Sequence, residues 1–336
     1  MYIYIRWIHF RIRNTKMKFA LVVLVFIGCQ AVENDEWAKF QEKFSKTYQS
    51  PLEMRTRMTI FNENLKKIEA HNALYDQGLV SWKMGVNHFS DWTEAEFHDY
   101  THRFQFPDVD IDAVGRFKAS TVSDAPDSID WRDYGIVTGV KDQGDCGCCW
   151  SFSTIGAVES LAAQTNKRLV SFSEQNLVDC SIFGNYTNYG CRGGLMANAF
   201  NYVRDKGIET EDEYPYEGVQ GECRQKRIVF QIGGHIAVDD NEEALRQAVA
   251  IRPVTVAICT TDKFQNYKSG IFYDDTCVSR INHAVVVVGY GSEKGQDFWI
   301  IKNSFGPDWG EEGYIRFARN TDNNCGLTIY ANYPIL

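Results

Sequence analysis

The chain has 336 residues, 44% of them hydrophobic, and 26 glycines, enough apolar material to bury a large core in more than one folded unit and too much for a disordered protein. Its 44 acidic and 35 basic side chains leave a formal charge of -9, which argues against a nucleic-acid partner and against general affinity for anionic membranes. Of its 10 cysteines only Cys29 precedes residue 145, so the segment 32–124 is compositionally a separate unit and the later thiols, odd in number, cannot all pair within the chain.

Arg6, Arg11, Arg13, Lys16 and Lys18 lead into an apolar run at 19–27 that is too short to span a bilayer and ends in Gly28-Cys29-Gln30-Ala31. Residues 1–31 therefore read as a secretory signal peptide, with a signal anchor as the alternative. The stretch ahead of Met17 is long for such a signal, which makes Met17 a second candidate start. A secretory route permits disulfides.

Trp37, Phe40, Phe44 and Tyr48 are spaced as one face of an amphipathic helix. A second helix opens at Ser50-Pro51-Leu52-Glu53, which supplies an N-cap serine, a proline at the first helical position and a glutamate placed for a capping box; Gly78 can end it. Within it Glu53, Arg57, Phe61, Asn64, Ile68 and Asn72 recur every three or four residues, a stripe that by spacing alone means packing against a partner surface. Gly85, Asn87, Phe89 and Asp91 follow at intervals of two.

These residues match the E-R-F-N-I-N and G-N-F-D patterns at every position, and the segment resembles the propeptides of papain-like cysteine proteases of the cathepsin L type. The resemblance implies a small inhibitory helical domain over 32–124, with a tail running backwards through the active-site cleft until acid or proteolysis releases it. Asp91 and its neighbouring histidines are then candidate parts of an acid trigger. Residues 113–126 lack periodicity and are rich in small and polar side chains, as an exposed cleavable connector would be, with the cut expected between Ser120 and Ala125. The run Ala125-Pro126-Asp-Ser-Ile-Asp130-Trp131-Arg132 resembles the mature amino terminus of the same family, which gives a protease domain of 125–336.

In that domain Cys149 precedes a run with Trp150, Ile155, Val158 and Leu161 at helical intervals, so it sits at a helix start, where the helix dipole and a nearby imidazolium favour a thiolate. Beyond residue 125 only His235 and His283 remain. His283 opens a strand-like valine run ending in glycine and is the expected base, whereas His235 follows Gly233-Gly234 in a stretch without a second catalytic-looking group and reads as a surface or turn residue. Asn303 ends another strand-like run, 298–302, and its side-chain carbonyl can hold the histidine ring. Cys149, His283 and Asn303 form the expected catalytic set, and Gln143, with the Cys149 amide, the expected oxyanion donor.

Two positions depart from the family pattern. Cys148 stands where serine or alanine is usual, and a Cys148–Cys149 disulfide would silence the nucleophile reversibly. Phe305 replaces the usual tryptophan over the asparagine and histidine contact. They leave open a catalytically silent peptide-binding or structural homologue as the alternative. The resemblance further implies the bridges Cys146–Cys191, Cys180–Cys223 and Cys277–Cys325, which the sequence alone does not settle, and leaves Cys148, Cys149 and Cys259 free. It implies that Gly193 and Gly194 admit the substrate backbone as an added strand. Leu195, Met196, Ala257, Ile281 and Tyr330 would line the pocket for the residue two before the scissile bond, with Tyr330 shortening it in favour of leucine or valine. Asn282, Phe305 and Trp309 complete the expected substrate contacts. Asn185-Tyr-Thr187 is a glycosylation sequon.

No metal-ligand spacing or nucleotide motif appears, so no metal and no cofactor are implied. The expected fold is α+β and papain-like, with a helical lobe led by the Cys149 helix, a strand-rich, barrel-like lobe carrying His283 and Asn303, and the cleft between. The expected partners are protein and peptide substrates, the chain's own propeptide and cystatin-like inhibitors. Nucleic acid and, after signal removal, stable membrane association are not expected. The expected state is a monomer in the lysosome, a gut lumen or another extracellular space.

Overall fold

The structure, a computed structural model, describes residues 35–101, 113–122, 125–277 and 281–336; the expected signal peptide lies outside them, as does part of the connector. In chain order the elements are helix α1 (35–43), α2 (Pro51–Asp76), strand β1 (Trp82–Met84), α3 (Glu94–Thr101), β2 (Gly115–Phe117), β3 (Ile129–Asp130), α4 (Cys149–Asn166), α5 (Glu174–Cys180), α6 (Met196–Lys206), β4 (Gly234–Val238), α7 (Glu242–Ile251), β5 (Val254–Ile258), α8 (Asp262–Gln265), β6 (Tyr267–Phe272), β7 (His283–Glu293), β8 (Gln296–Lys302), β9 (Tyr314–Ala318) and β10 (Asn332–Ile335). The strands form one sheet in the order β1-β6-β9-β8-β7-β5-β10-β4-β2, with β3 paired to β7.

The amino-terminal unit forms much as its sequence dictates. Ser50 Oγ accepts from the Glu53 amide at 3.1 Å, and the Glu53 carboxylate accepts from the Gln49 amide at 2.7 Å, so the start of α2 is satisfied from both sides. Gly78 ends the helix in the left-handed region at φ 73°. The α2 stripe packs and also clamps. Phe61, Asn64 and Ile68 are buried. Asn64 Nδ2 donates to the carbonyls of Ser90 and Trp92 at 3.0 and 2.8 Å, and Asn72 bonds Met84 through both backbone groups. The face of Trp37, Phe40, Phe44 and Tyr48 differs from the expected single helix. Here α1 stops at residue 43 and Ser45 turns to φ 51°, yet all four rings gather with Phe61 in one cluster.

Two corrections concern the far edge of the sheet. Part of the connector is a strand: β2 pairs in parallel with β4, and Gln247 holds the Ser120 backbone in both directions at 2.9 and 3.0 Å. Backbone pairing to an open edge overrides a composition that reads as loop. His235, expected at a surface or turn, is fully buried in β4, flanked by β2 and β10, with its ring stacked 5.5 Å from Phe200.

The helical lobe is built around α4, which is buried on every side. Ser153 Oγ donates to the Val285 carbonyl at 2.7 Å, and a Cβ on Gly156 would lie 3.1 Å from Val286, so α4 lies directly against β7. The other core joins the strand-rich lobe to Trp82, Phe89, Phe97 and Tyr100 of the amino-terminal unit. Among the described residues three disulfides form, Cys146–Cys191, Cys180–Cys223 and Cys277–Cys325, and Cys148, Cys149 and Cys259 stand outside any disulfide.

Candidate active site

Because α4 lies along β7 and each begins at the same end of the cleft, Cys149 at the start of α4 comes beside His283 at the start of β7. Cys149, His283, Gln143, Gly193, Gly194 and Asn282 line one narrow cavity. Strand β8 pairs with β7 up to Val286–Lys302, so the next residue, Asn303, falls beside the first residues of β7. Its Oδ1 lies 2.8 Å from His283 Nε2 and 2.8 Å from the Ser304 amide. A backbone N–H only donates, so this atom is the carbonyl oxygen and Nε2 carries the imidazole hydrogen. Nδ1 is then the nitrogen left to accept a proton.

Gln143 is brought in by a second pairing, in which Asp142 bridges to Phe305 and the Gln143 amide donates to the Ser304 carbonyl at 2.9 Å. Ser304 Oγ donates to Gln143 Oε1 at 2.6 Å, which fixes the orientation of the side-chain amide. Of the two Nε2 hydrogens, one is directed to the Cys146 carbonyl at 3.0 Å, which leaves one for a ligand.

In this covered state burial works against the thiolate and the imidazolium expected from sequence. Burial pushes the Cys149 thiol up to about 11, against the opposing pull of the Ala284, Trp150 and Cys149 backbone amides. Burial pushes His283 down to about 4, against its bond to Asn303. Both directions follow from lost hydration of the charged forms. What covers them is the chain's own amino-terminal unit: Tyr100 and Thr101, at the end of α3, line the cavity, and the Tyr100 hydroxyl donates to the Gly144 carbonyl at 2.9 Å.

Phe305 stacks on His283 with centroids 4.7 Å apart at 28°. Its remaining surroundings include Phe89 at 5.1 Å, Tyr100 at 5.7 Å and Trp309 at 5.6 Å, so the ring over the histidine also anchors the amino-terminal unit. The unit is held further by β1 pairing antiparallel to β6, by Asn87 Nδ2 to the Gln265 carbonyl at 2.8 Å, and by Ser90 Oγ to Asn266 at 3.0 Å. Asp91 is nearly buried and receives Lys46 at 2.8 Å and the Tyr48 hydroxyl at 3.0 Å.

The other sequence-selected residues fall as follows. Met196, Ala257, Ile281 and Tyr330 meet in one apolar cluster, and Leu195 is buried ahead of Met196. Gly194 has no room for a side chain, since a Cβ would stand 2.7 Å from the Trp150 ring. Asn282 is tied to Thr260 at 2.8 Å, and Trp309 is enclosed with Phe264 and Tyr267. Asn185 is exposed in a turn. Cys148 does not bridge to Cys149; its sulfur lies 3.0 Å from the Tyr216 hydroxyl. Sequence reasoning missed Ser304 and Tyr216. Adjacency to Asn303 was the signal for Ser304, and Tyr216 carried none.

Residues 125–335 match the profile of the papain family cysteine protease, and residues 37–97 that of the cathepsin propeptide inhibitor domain (I29). The chain belongs to the papain family of cysteine proteases. It is 43% identical to cathepsin L of Sarcophaga peregrina over 316 residues, 89% of this chain and 92% of that protein, and 40% identical to the cathepsin L-like proteinase of Phaedon cochleariae over 326 residues, 96% and 99%. The structure of digestive procathepsin L 3 from Tenebrio molitor larval midgut is similar to it with a TM-score of 0.84 at 44% identity, covering 90% of this chain and 99% of that one. The chain is accordingly a cathepsin L-type precursor, a cysteine protease zymogen inhibited by its own propeptide.

Proposed function

We propose that Cys149, His283, Asn303 and Gln143 carry out peptide-bond hydrolysis in this protease. The observation that carries the assignment is the 2.8 Å bond from His283 to Asn303 at a cavity shared with Cys149 and Gln143. Once the propeptide leaves and water returns, the α4 amino terminus and the imidazolium stabilise the Cys149 thiolate. The sulfur attacks the peptide carbonyl, and the resulting oxyanion takes hydrogen bonds from Gln143 Nε2 and the Cys149 amide. His283 protonates the departing amine, then deprotonates the water that cleaves the thioester and frees the enzyme. Acidifying the precursor and adding a thiol-directed peptidyl epoxide tests this: labelling at Cys149 with loss of activity is expected, and a Cys149→Ser protein that still cleaves peptides would refute it.

The apolar cluster of Met196, Ala257, Ile281 and Tyr330 supports a preference for leucine or valine two residues before the cut. Profiling with a peptide library reads this directly; tryptophan or arginine as the favoured residue would overturn it. We assign residues 1–31 to a secretory signal, 32–124 to the propeptide and 125–336 to the mature enzyme. The protein then enters the secretory pathway as a monomer destined for a lysosome or an extracellular digestive space, is glycosylated at the exposed Asn185, and is open to cystatin-like inhibitors. Amino-terminal sequencing of the acid-activated product checks the boundaries.

A further inference from the structure

We propose that Cys148 and Tyr216 are positioning residues that fix the oxyanion-binding Gln143 through a relay of hydrogen bonds. This rests on the reading of Gln143 given above. The Tyr216 oxygen lies 2.7 Å from the Gln143 carbonyl and 3.0 Å from Cys148 Sγ. A carbonyl only accepts, so the single phenol hydrogen goes to Gln143, and the Cys148 thiol must donate to the phenol oxygen. The relay runs from S–H to O–H to C=O in one direction, and burial, which makes both acids weaker, keeps the two hydrogens in place.

Cys148 is also the residue from which α4 begins. Its carbonyl accepts from the Ser151 and Phe152 amides at 2.8 and 3.3 Å, while its side chain makes no cap. One residue therefore ties the helix that presents Cys149 to the loop that presents Gln143. Ser304 grips the side-chain oxygen and the backbone amide of Gln143, and Cys146 accepts from its side-chain nitrogen; on the carbonyl the Cys146 amide donates only at a long 3.4 Å, so the 2.7 Å Tyr216 bond is the short restraint there. The residue that follows is Gly144 at φ 55°, whose own carbonyl is held by Tyr100 of the propeptide. When the propeptide leaves, that hold is lost and the Tyr216 bond remains on the neighbouring carbonyl. The active enzyme thus depends on the relay more than the zymogen does.

The test uses enzyme matured by acid from the full chain, with the variants Cys148→Ala, Cys148→Ser, Tyr216→Phe and Gln143→Ala. Two probes separate positioning from general damage. A peptide aldehyde forms a hemithioacetal whose oxygen sits where the oxyanion forms, whereas alkylation by a peptidyl epoxide needs the thiolate and not the oxyanion donors. Loss of a whole donor costs about a hundredfold or more in kcat, so a donor left in place but loosened should cost about tenfold. The expected result is a loss of about tenfold in kcat and in aldehyde affinity for Cys148→Ala and Tyr216→Phe, with KM and the epoxide rate within about twofold of the parent. Cys148→Ser, which keeps a donor, should restore the parent values, and a chain carrying both Cys148→Ala and Tyr216→Phe should be no worse than Tyr216→Phe alone. If Cys148→Ala fails to fold, Tyr216→Phe decides by itself. The proposal is overturned if these variants bind aldehyde as the parent does, or if aldehyde affinity and epoxide rate fall together. Gln143→Ala separates the two readings: unchanged aldehyde affinity there sinks the oxyanion assignment itself, while a loss there without one in Cys148→Ala and Tyr216→Phe sinks only the relay.

Discussion

Replacing His88 with phenylalanine should blunt the acid sensitivity of propeptide docking. His88 sits between the docking residues Asn87 and Phe89, half-buried, with its ring 3.8 Å from Phe89 and 6.4 Å from Phe44. Burial is the main cause that pushes its pKa from 6.5 to about 4; Lys46 adds to the effect and Asp308 opposes it. The released propeptide holds this proton near the ordinary value and the docked one does not, so protons favour release. The docked state keeps its full stability above about pH 6.5 and loses it progressively as pH falls towards about 4. At 1.36 kcal/mol per pH unit, the change from about pH 7.5 to about pH 4.5 amounts to about 2.5 kcal/mol, an upper bound because water still reaches part of the ring. Hydrogen exchange at the β1 and β6 amides of a Cys149→Ala chain, which cannot process itself, measures the opening free energy after correction for intrinsic rates. The parent should lose close to that amount and His88→Phe should lose much less. An equal slope in both would refute the reasoning.

Three further outcomes follow from the same geometry. Phe305→Trp should speed acid activation at a fixed pH, because an indole overpacks the space between His283, Phe89 and Tyr100 and overpacking costs about 1–3 kcal/mol of propeptide docking; activation rates measure this. Asn303→Ala should lower kcat about 10- to 100-fold, since the ring of His283 loses the hydrogen bond that orients it, and steady-state kinetics on the matured enzyme reads the loss. Replacing Cys180 and Cys223 by serine should remove up to about 4 kcal/mol of stability, from the chain entropy of a 43-residue separation, which chemical unfolding can measure.

Much of the molecule is written in short-range signals. The caps of α2, the stripe from Glu53 to Asn72 and the strand-like runs leading from His283 and up to Asn303 all depend on residues a few positions apart, where spacing carries the geometry. Motif likeness added the proposed nucleophile, Cys149, and the proposed oxyanion donor, Gln143. The errors arose where a partner came from elsewhere in the chain. The connector looked like loop until β4 offered it an edge, and His235 looked like a turn residue until β2 and β10 enclosed it.

The sequence by itself determined which side chains could do the chemistry and which segment would inhibit it, because those properties belong to residue types and local periods. Only the tertiary structure decided that Ser304 orients Gln143 across 161 positions, that Cys148 donates to Tyr216 instead of bridging to Cys149, and that Phe305 serves both His283 and the propeptide. Burial likewise disfavours the charged forms of Cys149 and His283. Hydrogen bonds, ring contacts and desolvation depend on distances in space, which chain packing fixes and sequence separation does not.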